Sequence, residues 1–145
     1  MKDSLFLAQS DTTAGFLSKD KNLILKAKQR SKNKAILQTS ASIFEIKKLC
    51  RIPQIINKQI RRARKTSFIF PNGEAFRVVR DSKHKEFLEQ LGLMYSSSAN
   101  ISGFGFDKDF AFNVADIIIL DRREIYENKP SNIFKIKKNN IQKIR

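Results

Sequence analysis

The stretch Leu93-Met94-Tyr95-Ser96-Ser97-Ser98-Ala99-Asn100-Ile101-Ser102-Gly103 joins a β-prone run to a tail of small residues. Residues 93–96 predict a strand, and the small residues after them predict the loop that ends it. Residues i and i+2 share a side of an extended segment, so the Ser98 hydroxyl and the Asn100 amide face the same way. The small neighbours would let a ligand approach the backbone closely, while the alternative is a polar turn that caps the sheet.

A basic pattern, Lys28-Gln29-Arg30, lies where a helix over about residues 19–28 is predicted to stop. If the chain is extended here, the ammonium and the guanidinium point the same way. A point charge beside a planar fork suits a polyphosphate. The alternative is a solvated basic connector, which Lys32 and Lys34 would continue.

Residues 10–15, Ser-Asp-Thr-Thr-Ala-Gly, form a polar loop directly after residues 4–9, which predict a buried strand. In open α/β sheets, ligands bind outside the carboxyl ends of strands, so this loop is a candidate binding loop. The alternative is a turn that leads into the next helix, with Asp11 and Thr12 as caps.

The rest of the chain alternates between helix and strand patterns. Pro71-Asn72-Gly73-Glu74 separates two β-prone runs, at 66–70 and 75–79, and predicts a hairpin. Further strands are predicted at 35–38, 117–120, 132–137 and 141–144, and helices are predicted to begin near Ser18, at Ser40 or Ser42, at Pro53 and at Ser82, the last ending at Gly92. Strands that follow each other directly, among others separated by helices, predict a mixed α/β fold with a partly antiparallel sheet.

Composition excludes several classes of site. The 145 residues predict one domain, residues 1–145, and 41% hydrophobic residues suffice for a core. A single cysteine, Cys50, and a single histidine, His84, exclude an internal disulfide and a Cys/His zinc site. His84 is flanked by Lys83 and Lys85 and is predicted to be exposed. Without a long apolar run or a leader segment, we expect a cytoplasmic protein without a membrane partner.

The charge is strongly basic and unevenly distributed. The net charge is +15, and residues 1–72 carry 16 basic and 4 acidic residues against 13 and 10 in residues 73–145. Abundant Lys, Ile, Asn and Phe resemble the codon bias of an AT-rich gene, which accounts for part of the excess. The asymmetry still favours an acidic partner such as a nucleotide, an RNA or a phosphorylated metabolite.

The three polar segments, in this order, resemble the motifs of the YrdC-like family, the threonylcarbamoyl-AMP synthases. Gln9–Phe16 resembles Pro-Thr-Asp/Glu-Thr-x-Tyr-Gly-Leu, and Lys28–Ser31 resembles Lys-Gly-Arg-Pro. Ser98–Gly103 matches Ser-Ala-Asn-x-Ser-Gly without a change. Weaker likenesses lie at Thr66–Phe70, at Arg77–Val79, at Ser131–Ile133 and at Lys143–Arg145.

The sequence departs from the family pattern at several positions. Gln9, Ser31 and Val79 each replace a motif proline. Ala14 replaces the motif tyrosine, which implies that an aromatic wall over the substrate is missing. Ser10 and Asn132 each replace a motif threonine.

The resemblance implies a twisted, open, mixed parallel and antiparallel sheet flanked by helices. It implies a nucleotidyltransferase that forms threonylcarbamoyl-AMP and pyrophosphate from L-threonine, bicarbonate or CO2 and ATP. Mg2+ would be bound mainly through ATP and not by protein side chains. The product would pass to the transferase machinery that makes threonylcarbamoyladenosine on tRNA.

The same resemblance implies roles for individual residues. Lys28 and Arg30 would clamp the phosphates and carry the catalysis. Ser98 and Asn100 would bind the phosphates or the ribose. The nucleotide would also contact Arg145, while L-threonine would contact Thr12 and Ser131.

An alternative function is a non-catalytic module on the same fold that binds double-stranded RNA or tRNA. The basic stretch from Lys58 to Lys65 motivates it, with Arg61, Arg62, Arg64 and Lys65 as the contacts. The same stretch also fits one solvated face of an amphipathic helix. Phenylalanines 104, 106, 110 and 112 could be a platform for bases, but their near-alternation favours a loop or strand packed on the core.

Overall fold

The computed structural model describes residues 3–138 and 140–145. This part of the chain forms nine strands and five helices. The strands are β1 Phe6–Gln9, β2 Ala14–Ser18, β3 Leu37–Ser40, β4 Thr66–Ile69, β5 Ala75–Val78, β6 Met94–Ser98, β7 Ile117–Ile119, β8 Asn132–Ile136 and β9 Ile141–Lys143. The helices are α1 Lys21–Ala27, α2 Ile43–Leu49, α3 Gln54–Arg62, α4 Ser82–Leu91 and α5 Lys108–Val114.

All of these strands belong to one open sheet, in the order β7-β1-β2-β6-β3-β5-β4-β8-β9. Three neighbouring pairs are parallel (β1 with β7, β3 with β5, β4 with β8) and the others are antiparallel. The predicted mixed α/β fold is confirmed, and so is the hairpin of β4 and β5.

The strand register separates two faces of the sheet. Residues opposite each other on paired strands lie on the same face. One face carries Phe16, Phe68 and Phe76, which pack against α1, α2, α3 and α5. We call this the covered face.

The other face, which we call the open face, carries mainly small or polar side chains along its central strands. Gly15 lies opposite Ser98, Thr39 opposite Arg77, and Ile69 opposite Ala75. Helix α4 covers one end of this face, where Leu88 packs with Leu17, Val79 and Met94. The remainder of the open face has no helix over it among the described residues.

Capping side chains set where the helices begin. Asp20 accepts a hydrogen bond from the Asn22 amide at the start of α1, and Ser42 accepts one from the Phe44 amide at α2. Pro53 precedes α3, as predicted, and Gly92 ends α4 with a φ of 80°. The predicted caps at Ser18 and Ser82 are wrong, because Asp20 and Asp81 cap these helices.

Two elements were not predicted. Strand β2 occupies part of the expected loop, where Ala14 and Gly15 pair with Gln9 and Ala8. Helix α5 contains Phe110 and Phe112, which were expected in a loop or strand. Both rings pack on the core, as expected, whereas Phe104 is 71% exposed.

No helix in the described ranges is long and apolar enough to cross a membrane.

Candidate functional site

A cleft of about 770 Å3 lies on the open face of the sheet. Its floor comes from six strands, and small residues such as Gly15, Ala75, Ser67 and Ser96 create the space. A Cβ atom at Gly15 would lie 3.3 Å from the carbonyl oxygen of Ser97, so even an alanine would crowd the floor. The volume lies in the range of small-molecule pockets.

The cleft gathers the seven residues to which the family resemblance gave nucleotide or threonine contacts. They come from five places in the chain, between 12 and 145, and the fold brings them to one face of the sheet. The seven lining residues are Thr12, Lys28, Arg30, Ser98, Asn100, Ser131 and Arg145. Their predicted contacts to ATP and to threonine stay predictions.

Lys28 is buried, with 3% of its surface exposed, and its ammonium contacts the end of β6. Nζ donates to the carbonyl oxygens of Ser98, at 2.8 Å, and Asn100, at 2.9 Å. It also lies 3.3 Å from Ser98 Oγ and 3.2 Å from Asn100 Oδ1. Burial, with the nearby positive charge of Arg30, lowers the pKa of Lys28 to about 8.

The backbone at 28–30 is not extended, so the geometry expected for Lys28-Gln29-Arg30 is wrong. Lys28 is the C-cap of α1, with φ −80° and ψ −4°, and Gln29 has a φ of 52°. The Gln29 amide donates to the Lys26 carbonyl, and the Arg30 amide donates to the Leu25 carbonyl. This pair of bonds is the Schellman motif. Lys28 and Arg30 therefore reach the cleft from a helix C-terminus.

A buried ion pair lies beside the loop between β1 and β2. Arg77 Nη2 lies 3.3 Å from Asp11 Oδ1, with side chains 4% and 3% exposed. Arg77 Nη1 also donates to Thr12 Oγ1 at 3.2 Å, while Nε has no hydrogen-bond partner among the described residues. Burial lowers the pKa of Arg77, which Asp11 partly offsets.

At the β8 side of the cleft, two hydroxyls and an arginine lie together. Ser67 Oγ and Ser131 Oγ are 2.8 Å apart, and both residues are buried. Arg145 Nε donates to the Ser131 carbonyl at 3.1 Å. A polar ligand at this side of the cleft would therefore meet two hydroxyls and a guanidinium.

The loop that carries Asp11 and Thr12 is held by Arg123, which lies between β7 and β8. Arg123 Nη2 donates to the Gln9 carbonyl at 3.0 Å and Nη1 to the Ser10 carbonyl at 3.4 Å. The same guanidinium forms ion pairs with Asp81 and Asp121. Hydrogen bonding to Asp121 raises the pKa of Arg123.

His84 is buried, not exposed, so the surface position expected for it is wrong. Only 1% of its surface is accessible, and its ring stacks on Phe87 with centroids 6.3 Å apart. Burial and the positive charges of Arg77 and Arg123 lower the pKa of His84 to about 3. The imidazole is therefore neutral, and its two nitrogens have no hydrogen-bond partner among the described residues.

The charge of the cleft has one sign. Lys28, Arg30, Lys34, Arg77 and Arg145 line it, while no acidic residue does so in the described ranges. These ranges also contain no group of three His, Cys, Asp or Glu side chains that could hold a metal ion. The lining is therefore net positive, since Asp11 offsets only the charge of Arg77.

Sequence reasoning missed two features of this site. Arg77 was matched to a family segment but received no role, although its pairing with Asp11 was within reach because a buried arginine needs a carboxylate. Ala14 was expected to face the substrate, but it packs in the core beneath α1 and does not line the cleft.

The basic stretch at the end of α3 and just after it does not belong to the cleft. Arg61, Arg62, Arg64 and Lys65 are exposed, and none of them lines it. The carbonyl oxygen of Arg61 accepts a hydrogen bond from Arg80, which adds another cation nearby.

Solved structures with this architecture identify the fold. P. abyssi Sua5 complexed with L-threonine superposes with a TM-score of 0.81 and 18% identity over 98% of this chain and 50% of that chain. The chain has the fold of Sua5. E. coli YciO gives a TM-score of 0.79 and 17% identity over 99% of this chain and 83% of that one.

A third structure with this fold is HypF in its phosphate- and nucleotide-bound form, with a TM-score of 0.77 and 14% identity over 98% of this chain and 26% of that one. The predicted YrdC-like fold is confirmed by these likenesses. The chain spans about half the length of the Sua5 structures it matches. No protein-family model matches the sequence, and no curated protein matches it.

Proposed function

We propose that the chain is a threonylcarbamoyl-AMP synthase, which forms threonylcarbamoyl-AMP and pyrophosphate from L-threonine, bicarbonate or CO2 and ATP. The observation that carries the proposal is the cleft itself, which five cations and a row of hydroxyls line, with Arg77 alone of the five paired with a carboxylate among the described residues. The Sua5 structure with L-threonine and the nucleotide-bound HypF structure support it, because both share the fold.

The proposed chemistry needs little covalent work from the protein. The threonine amine and bicarbonate first give a carbamate and water. A carbamate oxygen then attacks the α-phosphorus of ATP, the bond from that phosphorus to the bridging oxygen breaks, and pyrophosphate leaves. Catalysis at phosphorus depends on positioning and on charge stabilisation, which cations and hydroxyls supply without a nucleophilic side chain.

Lys28 serves this chemistry in two ways. Its two short contacts, to the Ser98 and Asn100 carbonyls, fix the end of β6. Its longest contact, at 3.3 Å to Ser98 Oγ, is the one that a phosphate oxygen would replace. Arg30, which is less buried, would then add a bidentate contact to the same chain of phosphates.

Thr12 and Ser131 would hold L-threonine, each through a hydroxyl whose neighbours orient it. Thr12 Oγ1 accepts from Arg77, and Ser131 Oγ pairs with Ser67 Oγ. Arg77, whose charge is paired with Asp11, would position the Thr12 hydroxyl for this contact. Arg145, beside Ser131, would contact the nucleotide.

Mg2+ would enter this cleft on the triphosphate. No carboxylate lines the cleft in the described ranges, and Asp11 is already paired with Arg77. The described side chains therefore provide no set of carboxylate ligands for Mg2+. Phosphate oxygens and water would hold the ion, as is common for Mg2+. The ion would neutralise part of the phosphate charge, and the product would pass to the tRNA-modifying transferase machinery.

The test is pyrophosphate release by the purified protein, with each substrate omitted in turn. We expect release that requires ATP, L-threonine and bicarbonate together. Lys28→Ala and Arg30→Ala should each lower kcat/KM by about 100- to 1,000-fold, the usual loss for a preorganised donor. Lys26→Ala, on the exposed side of α1, is the matched control and should retain activity. A folded protein that releases no pyrophosphate would refute the proposal.

A second candidate, binding of double-stranded RNA or tRNA, has one observation in its favour. Arg61, Arg62, Arg64 and Lys65 are all exposed at the end of α3, away from the cleft. Replacing the three arginines by alanine should weaken RNA binding and reduce its salt slope by about 0.7 to 0.9 per lost phosphate contact. The matched control replaces Lys135, Lys137 and Lys138, which are exposed on and beside β8. Equal affinity in both variants would reject an α3 interface.

A further inference from the structure

The apolar part of the cleft wall is aliphatic. It is formed by Ala35, Leu37, Ile69, Ala75, Pro130 and Ile133. The sequence contains 12 Phe and 2 Tyr, yet none of those in the described ranges lines the cleft. Proteins that recognise nucleotide bases commonly stack them on aromatic rings. An aliphatic wall can cover a flat base, but it offers purines and pyrimidines the same kind of contact.

The neutral polar side chains of the cleft are equally unsuited to reading the edge of a base. Asn100 carries the one side-chain amide that lines the cleft within the described ranges, and both of its ends are used. Nδ2 donates to the Ile101 and Phe104 carbonyls, and Oδ1 accepts from Lys28. The remaining neutral polar side chains are hydroxyls. A hydroxyl rotates to donate or to accept, so it discriminates poorly between amino and carbonyl groups.

Charge is concentrated where phosphate would bind. Lys28 is buried, and Arg30, Lys34 and Arg145 line the same cleft. Charge-assisted contacts from such groups are about twice as strong as neutral hydrogen bonds. Most of the affinity for a nucleotide would therefore come from its phosphates, and an arginine plane that also met the base would stack on any of the four.

We propose that this cleft recognises the triphosphate chain and not the base, so that ATP, GTP, CTP and UTP are equivalent substrates. The proposal rests on the synthase function proposed above, since it names the donor class for that same site. A nucleoside without phosphates would lack the contacts that supply the affinity.

Equilibrium binding by calorimetry tests the proposal with six probes: the four nucleoside triphosphates, inorganic tripolyphosphate and adenosine. The four dissociation constants should agree within about threefold, tripolyphosphate should bind within about tenfold of them, and adenosine should show no binding at millimolar concentration. A dissociation constant for ATP more than tenfold below the other three would overturn the proposal. Binding of adenosine as tightly as ATP would overturn it as well.

Two variants separate this proposal from a general loss of binding. Arg30→Ala should weaken all four triphosphates by the same factor, whereas Lys26→Ala should change none of them. A variant effect confined to ATP would contradict recognition through the phosphates.

Pyrophosphate release with each triphosphate separates this proposal from the proposed function. Release from all four, dependent on L-threonine and bicarbonate, supports both. Release from ATP alone supports the synthase function and contradicts recognition that does not depend on the base. Equal binding of the four without pyrophosphate release supports phosphate recognition and rejects the synthase.

Discussion

At the scale of single residues, the unusual group is the Lys28 ammonium, which is buried against carbonyl oxygens instead of a carboxylate. Partial negative charges hold it in place, but they do not neutralise it. Burial without a neutralising carboxylate, together with the nearby charge of Arg30, lowers the pKa of Lys28 to about 8. This arrangement also leaves a net positive charge that an anionic ligand can satisfy.

This pKa predicts how phosphate binding depends on pH. In the free protein the ammonium loses its proton as pH rises through about 8, and the bound anion favours the protonated form. Affinity for tripolyphosphate should therefore fall between pH 7 and pH 9, by up to about tenfold per unit above the pKa. Calorimetric titrations across that range measure it.

The comparison variant for this titration is Lys28→Met, which keeps an unbranched side chain without the charge. It should bind tripolyphosphate more weakly at pH 7 and show a flat profile to pH 9. An equally steep decline in the variant would assign the titration to another group. Circular dichroism at both pH values establishes that the variant is folded.

The Asp11–Arg77 pair is the second decisive feature at this scale. Both side chains are almost fully buried, so each depends on the other for its charge. Asp11→Asn leaves the Arg77 guanidinium without a counter-charge and should lower the free energy of unfolding by about 3–5 kcal/mol. Urea denaturation measures this loss, with Glu127→Gln, at an exposed position, as the control.

A double-variant cycle tests whether the loss comes from the pair itself. Arg77→Met alone should be destabilising, because Asp11 is then unpaired. The double variant, Asp11→Asn with Arg77→Met, should lose less free energy of unfolding than the two single variants lose together. Strict additivity would show that the two side chains do not interact.

At the scale of elements, the C-terminus of α1 delivers Lys28 and Arg30 to the cleft through a left-handed residue. Gln29 occupies the C′ position of the Schellman motif with a φ of 52°. Glycine is favoured there because it has no Cβ to clash with the backbone. The motif that Lys28–Ser31 resembles has glycine at this position, where this chain has Gln29.

Gln29→Gly should therefore raise the free energy of unfolding by about 1 kcal/mol. Urea denaturation provides the measurement, and Gln29→Ala provides the control, since alanine keeps the Cβ. Unchanged stability in Gln29→Gly would mean that the Gln29 side chain stabilises the turn by a comparable amount.

The elements also show what sequence patterns could predict. Most strands were predictable, since short apolar or aromatic runs and the Pro-Asn-Gly turn mark them. Strand β2 was missed because its first two residues, Ala14 and Gly15, have low β propensity, although they pair with Gln9 and Ala8. Helix α5 was missed because Phe110 and Phe112 alternate, although the Asp107 cap sets the helix.

The same limits apply to the site. Motif order predicted residues that the fold brings to one cleft. The burial of His84 was within reach of the sequence, because residues 84, 87, 88 and 91 share one face of a helix. The flanking Lys83 and Lys85 led to the wrong prediction. Local spacing could not predict the turn at Gln29, which depends on how the C-terminus of α1 packs.

At the scale of the whole molecule, a net charge of +15 on 145 residues acts on stability and on binding in opposite directions. Like charges repel one another in the compact state, and this repulsion lowers stability. The same charges attract an anion to the cleft. Salt screens both effects, because the Debye length falls from about 30 Å at 0.01 M to about 10 Å at 0.1 M.

Raising the NaCl concentration from 0.01 to 0.1 M should therefore raise Tm while it weakens tripolyphosphate binding. Differential scanning calorimetry measures the first effect and titration the second. A variant that replaces Lys32, Lys48 and Lys58, all exposed, by glutamine should show a smaller rise in Tm. These lysines do not line the cleft, so tripolyphosphate binding at 0.1 M should change little in that variant. A Tm that does not respond to salt would show that ion pairs, such as those of Arg123, already offset the repulsion.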